Sequence, residues 1–259
     1  MIAFWAAMAG LFGLAIGSFL NVVIYRVPRK ESIVSPPSHC PGCDTPIKPY
    51  DNIPVLSWLV LRGKCRNCGE RISIRYPLIE LLNGVLWVAV ALEYHDSWVL
   101  PAFLVLTAGL VALSAIDLEL KILPTVIIYF LNGATFALLA LASLLEGDWE
   151  KLGAGLICAV GALAFFFLLV LVYPRGMGMG DVRLAFLLGL NLGWLGWKYT
   201  VGGLFFGFLY GAIVGIGVMI AQGAKQGRKT AVPFGPFKAA GTLTFILFGS
   251  QIIDWYLPK

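Results

Sequence analysis

The chain has 259 residues, 59% of them hydrophobic and only 13% charged, with a formal net charge of +5 and a mean hydropathy of +0.85. A soluble domain of this size carries about twice that share of charged residues, so the composition excludes an ordinary soluble enzyme and indicates a polytopic membrane protein. The basic excess is read as membrane topology, and no nucleic-acid partner is expected.

A hydrocarbon core is crossed by about 20 apolar residues. The first such stretch covers about 2–24. No basic segment precedes it, whereas Arg26, Arg29 and Lys30 follow it. It reads as a retained first span with its N-terminus outside, and not as a cleaved signal.

Residues 26–76 come next. They are polar, rich in Pro and Cys, and too long for a connector. Cys40-Pro-Gly-Cys43 and Cys65-Arg-Asn-Cys68 are two CxxC knuckles whose spacing suits a four-thiolate zinc site. Gly42 and Gly69 are expected to permit the tight backbone at each knuckle. Cytoplasmic thiols stay reduced, which favours metal over disulfide. Fifty residues also make too small a core to fold unaided, so the metal is structural. A redox dithiol pair or unliganded cysteines are the alternatives. His39 is a possible substitute ligand with a surface role favoured, and Cys158 is a small packing residue.

Further apolar stretches follow at about 77–94, 99–116, 124–145, 152–173, 182–197, 200–222 and 238–256, giving eight spans and both termini on one side. If 26–75, 117–123, 174–183 and 223–238 face the cytoplasm, they hold nine, one, two and four basic residues, or 16 of the 19. That distribution sets the orientation. The expected fold is an all-α polytopic membrane protein of about eight transmembrane helices, with a small zinc-ribbon-like cytoplasmic insertion between helices 1 and 2.

Two carboxylates sit at the cytoplasmic edge of this bundle. Asp117 lies in SAIDLELKILP at the end of the third span, and Asp181 lies in GMGMGD at the start of the sixth. Acids at such depth are costly and usually functional. Two converging carboxyls share one proton, and such a pair can activate water and protonate a leaving amine. Taken singly, Asp117 reads as an interfacial charge and Asp181 as a helix cap. A carboxylate-dependent proton or ion transporter is the competing class. Pro124, Gly176, Gly178 and Gly180 loosen backbone beside the acids, as a protease needs when an extended peptide approaches the main chain.

These residues resemble a known family. GMGMGD at 176–181 is similar to the GxGD signature of intramembrane-type aspartyl proteases. AIDLELKILP is similar to the partner motif of bacterial type IV prepilin peptidases. GSFLNVVIYRVP, SPPSHCPGC, YDNIPVLSWLVLRGKCRNCG, RYPLIELL and PFGPFKAAG resemble motifs of the bifunctional prepilin peptidase/N-methyltransferases across nearly the whole chain. Arg183 stands where Lys is common, and Leu123 precedes Pro124 where Ile is usual.

The resemblance implies a division at about residue 98. Residues 1–98 would be a methyltransferase-type region, and 99–259 a six-span aspartyl peptidase domain. It implies Asp117 and Asp181 as the catalytic pair, Cys40, Cys43, Cys65 and Cys68 as the cytoplasmic tetrad, and type IV prepilins or type II secretion pseudopilins as substrates in the bacterial inner membrane. It also implies methylation of the new N-terminus from S-adenosylmethionine. No glycine-rich dinucleotide fingerprint is present, so Glu80, Asn21, Asp51 and Arg75 are the candidate cofactor-binding residues, with Asn52 and Tyr76 beside them. For Glu80 an ion pair with Arg75 or Arg71 is the alternative. A peptidase with an inactive methyltransferase part also stays open. Membrane lipid is the expected surround, with anionic headgroups facing the basic insertion.

Overall fold

A computed structural model describes residues 2–173, 177–223 and 233–256. Its contacts divide the chain into two compact units, Met1–His95 and Asp96–Lys259.

In the first unit, α1 (Ile2–Arg26) lies against α3 (Arg75–Tyr94), with the polar insertion and the short helix α2 (Leu56–Val60) between them in sequence. Glycine decides how close α1 and α3 come. A Cβ on Gly13 would lie 2.9 Å from the Cα of Gly84, and one on Gly17 would lie 2.7 Å from the Cα of Glu80. Backbone contact of this kind is the usual route to helix association where lipid supplies no hydrophobic drive. Two buried amides pin the seam: Asn83 Nδ2 donates to the Gly13 carbonyl at 2.7 Å, and Asn21 Nδ2 to the Tyr76 carbonyl at 3.2 Å.

The second unit holds α4 (Leu100–Leu120), α5 (Thr125–Glu146), α6 (Trp149–Val172), α7 (Met179–Leu195), α8 (Trp197–Gln222) and α9 (Gly235–Tyr256). Helix α4 is enclosed by its neighbours, with Phe103, Leu106, Leu110 and Ile116 fully buried. Gly189 and Gly193 of α7 admit the backbone of Ala159 and the side chain of Cys158 in α6, which accounts for Cys158 as a packing residue. Asn191 Nδ2 donates to Thr135 Oγ1, and Trp194 Nε1 to Ser143 Oγ, both at 3.2 Å, tying α7 to α5. In contrast, α6 and α8 present Val160, Phe165, Leu168, Val201, Phe205, Ile213 and Ile220 outward, a surface suited to acyl chains.

Six of these helices, α1, α3, α4, α5, α6 and α8, are long and apolar enough to cross a membrane. No strand occurs among the described residues, only isolated bridges between His39 and Pro46 and between Lys64 and Arg71. The chain is an all-α, multi-pass membrane protein with a small cysteine-bearing insertion.

Helix ends differ from the expected spans in one systematic way. Helix α4 continues through Asp117 to Leu120, α7 starts at Met179 ahead of Asp181, and α9 starts at Gly235 ahead of Lys238. A hydropathy boundary stops at a charge. Backbone hydrogen bonding does not.

Candidate active site and metal centre

Asp117 is 6% exposed on the last turn of α4, and its Oδ2 accepts the Gly235 N–H at 2.8 Å. The helix then closes at Lys121, a left-handed residue (φ 55°) whose N–H donates to the Asp117 carbonyl at 2.9 Å. Asp181 lies in the first turn of α7. Its Oδ2 accepts the Gly178 N–H at 3.2 Å, so it does cap the helix, while its Oδ1 meets Lys238 Nζ at 2.7 Å. Gly235 and Lys238 occupy consecutive turns of α9, so one helix start holds both acids. The Asp181 charge acts on Asp117 across this site.

The neighbours are positioned by close packing. A Cβ on Gly180 would meet Leu123 Cβ at 3.0 Å, and one on Gly235 would meet Asp117 Oδ2 at 2.6 Å and Leu123 Cδ2 at 3.2 Å. Leu123 therefore wedges between the starts of α7 and α9. Pro124 is extended (φ −61°, ψ 117°) and begins α5. Arg183 Nη1 donates to Thr125 Oγ1 at 3.1 Å, bridging α7 to α5. Gly178 is exposed and its N–H is taken by Asp181, whereas Gly180 is spent on packing; Gly176 lies outside the described residues.

Lys238 is the residue that sequence reasoning missed. It was counted among loop cations, yet it is 1% exposed, with Nζ 4.2 Å above the Phe166 ring and 5.1 Å from that of Phe234. The available signal was a lysine between Phe237 and Ala239 at the head of an apolar stretch.

In the insertion, the sulfurs of Cys40, Cys43, Cys65 and Cys68 all lie within 4.8 Å of one another, with Cys40 and Cys68 3.7 Å apart. Zinc–sulfur bonds of about 2.3 Å put tetrahedral sulfurs about 3.8 Å apart, so the four thiols fit a zinc ion. Each knuckle closes a matching turn: the Cys40 N–H donates to the Thr45 carbonyl, and the Cys65 N–H to that of Glu70. The residue after each second cysteine is left-handed, Asp44 (φ 52°) and Gly69 (φ 75°). This corrects the expectation for Gly42, which instead leaves room for the Glu70 side chain. His39 is exposed and outside the sulfur cluster.

The thiols are electrostatically unequal. Backbone hydrogen bonds from Cys68 and Asn67 bring Cys65 down to about 7. At Cys43, hydrogen bonds from the side chain and backbone of Thr45 lower the thiol. Cys68 receives a backbone hydrogen bond from Glu70, but burial and the other thiols push it up to about 12. Cys40 is likewise raised: a backbone hydrogen bond to Gly42 favours its thiolate, but burial and the Cys65 thiol outweigh it.

The first unit also holds an open cavity of about 930 Å³, lined in part by Ser18, Asn21, Arg26, Asp51, Trp58 and Glu80. Asn52 and Tyr76 line it as well, but Arg75 does not; its guanidinium lies 5.5 Å over the Tyr76 ring. Glu80 receives the Val55 N–H at 2.7 Å and the Ser18 hydroxyl. Val55 is held at φ 61°, a strained angle for a β-branched residue, so Glu80 braces a loop as well as facing the cavity. Asp51 accepts from Arg66 Nε and Nη2 at 2.6–3.1 Å, and this pairing holds its carboxyl below the usual range. Asn21 Oδ1 is buried without a partner.

Comparison with known proteins follows the same division. Residues 11–94 match the bacterial peptidase A24 N-terminal domain, and 104–216 match the type IV leader peptidase family. A prepilin leader peptidase/N-methyltransferase of Aeromonas hydrophila is 39% identical, over 96% of this chain and 92% of the relative. Relatives of the same name from Neisseria gonorrhoeae (35%, over 98% and 95%) and Pseudomonas aeruginosa (36%, over 95% and 91%) are similar over comparable lengths. No solved structure matches significantly.

Proposed function

Because the chain belongs to the type IV leader peptidase family, we propose that it cleaves the leaders of type IV prepilins or type II secretion pseudopilins and methylates the amine so exposed. The observation that carries the reading is the meeting of buried Asp117 and part-buried Asp181 at the start of α9. One carboxyl takes a proton from the attacking water and the other gives one to the departing amine, completing peptide hydrolysis without a covalent intermediate. Residues 99–259 carry this chemistry as a six-span peptidase domain. Gly176, Gly178 and Pro124 are assigned to docking of the extended leader.

The eight long helices are assigned as eight spans of the bacterial inner membrane. Both termini face outward and the aspartates face the cytoplasm, which places 16 of 19 cations inside. A substrate helix lying in lipid then presents its leader junction at the depth of the pair. Pilins and pseudopilins share this geometry.

Methylation is assigned to residues 1–98. The cavity is of a size that takes a cofactor, and its unpaired Asn21 Oδ1 suits a donor-rich ligand such as S-adenosylmethionine. When bound, that group would supply an electrophilic methyl, and Asn21, Asp51 and Glu80 would hold and orient it. A structural zinc on the four cysteines stabilises the wall that Cys40 and Cys65 contribute.

The test is cleavage of a purified prepilin in proteoliposomes. Asp117→Asn and Asp181→Asn should each lose roughly 10²–10⁴-fold in rate, the usual worth of a positioned acid or base, while still accumulating. Wild-type cleavage by either variant refutes the pair. Mass measurement of the product reports methylation separately.

A further inference from the structure

We propose that Lys238 is a positioning residue of the aspartate pair: an ammonium built into the last helix that orients the Asp181 carboxylate and offsets the charge of the pair. The inference rests on the peptidase reading of Asp117 and Asp181.

Lysine is almost never fully buried without a reason, and Lys238 is 1% exposed. For packing alone, a leucine would fill the space without desolvating a charge. The ammonium instead faces a carboxylate, a carbonyl and aromatic rings. It meets Asp181 Oδ1 at 2.7 Å and the Asp181 carbonyl at 3.5 Å, and it lies over the Phe166 ring at 4.2 Å. The charged groups facing it are Asp181 from α7 and Asp117 from α4. Two carboxyls sharing one proton carry one negative charge, which one ammonium balances.

Its position is rigidly set. A Cβ on Gly207 of α8 would lie 3.0 Å from the Lys238 Cα, so α8 seats the lysine backbone directly. With Gly178 N–H on Oδ2 and Lys238 on Oδ1, both oxygens of Asp181 are aimed before substrate arrives. The same helix start aims Asp117 through Gly235 N–H. Preorganised charge of this kind acts on the chemical step and not on substrate affinity.

The experiment compares K238M, K238Q and K238R in prepilin-cleaving proteoliposomes, reading kcat and KM separately along with thermal unfolding. K238M and K238Q should lose about 10²-fold in kcat with KM within about two-fold. K238R, which keeps the charge, should recover at least about ten-fold of that loss. A folded neutral variant with wild-type kcat overturns the proposal. So does equal loss in all three variants, since charge would then be immaterial. If K238M fails to accumulate, K238Q, which retains a donor for Asp181, decides between them. Failure of both neutral variants to accumulate assigns Lys238 to stability alone and also overturns it. Active D117N or D181N controls would refute the peptidase reading itself, whereas inactive controls beside an active K238M would refute only the lysine.

Discussion

Gly235→Ala adds one methyl group at the tightest point of the site. The new Cβ would lie 2.6 Å from Asp117 Oδ2 and 3.2 Å from Leu123 Cδ2, so the carboxylate must turn away by roughly half an ångström or more to restore contact distance. Doing so lengthens the 2.8 Å bond from Gly235 N–H, and a hydrogen bond to a charged group contributes about 1.5–3 kcal/mol. If that energy is expressed in the transition state, cleavage falls about 10- to 150-fold. Helix propensity pushes the other way, because alanine is favoured over glycine by about 1 kcal/mol in a helix. The expected signature is thus a slow enzyme whose loss of stability is smaller than the weakened bond alone would give. Steady-state cleavage in liposomes and thermal unfolding of the same preparation would measure both. Activity within about two-fold of wild type would refute the reasoning, since Asp117 would then tolerate losing its aim.

Other expectations address the first unit. Purified protein should carry about one zinc per chain, and a chelator that strips it should unfold the insertion while the helices of residues 99–259 keep their structure; a metal-free, folded insertion would contradict this. Zinc uptake at pH 8 should release protons. Cys40 and Cys68 are raised above the ordinary thiol value and must shed protons to ligate, whereas Cys65, near 7, is already largely thiolate. Calorimetry in two buffers of different ionisation enthalpy measures the number, and binding without proton release would be the wrong outcome. Gly17→Ala would place its Cβ 2.7 Å from the Glu80 backbone, an overpacking cost of about 1–3 kcal/mol. Methylation of processed pilin should fall while cleavage continues; equal loss of both would show that the two activities are not separable by this route.

Much of the molecule is legible in one dimension because lipid imposes a simple code. Among the described residues every predicted apolar stretch falls on a helix, six of them long and apolar enough to cross a membrane, since a backbone in hydrocarbon must satisfy its own hydrogen bonds. The CxxC pairs at 40–43 and 65–68 converged because thiolate geometry constrains local spacing. Span ends were less legible. They were placed beside Asp117 and Asp181 and at Lys238, whereas all three lie inside helices, because a hydropathy window penalises a charge that a partner can neutralise. Glu80 gave a similarly incomplete signal: its intramembrane position announced a purpose, but not that it braces the backbone of Val55.

The residue types and their order therefore determined the class of the protein, its helices, its cysteine cluster and the two acids that meet the start of α9. Which groups face those acids was decided only in three dimensions. Gly235 and Lys238 stand 118 positions after Asp117 and 57 after Asp181 respectively, and no local pattern links such distant residues. The link is made by close helix packing, where glycines at 180, 207 and 235 let neighbours approach until a backbone N–H and a buried ammonium reach the carboxylates. In GMGMGD, Asp181 closes a glycine run that is exposed at Gly178 and packed at Gly180. That difference arises from the neighbouring Leu123, not from the run itself.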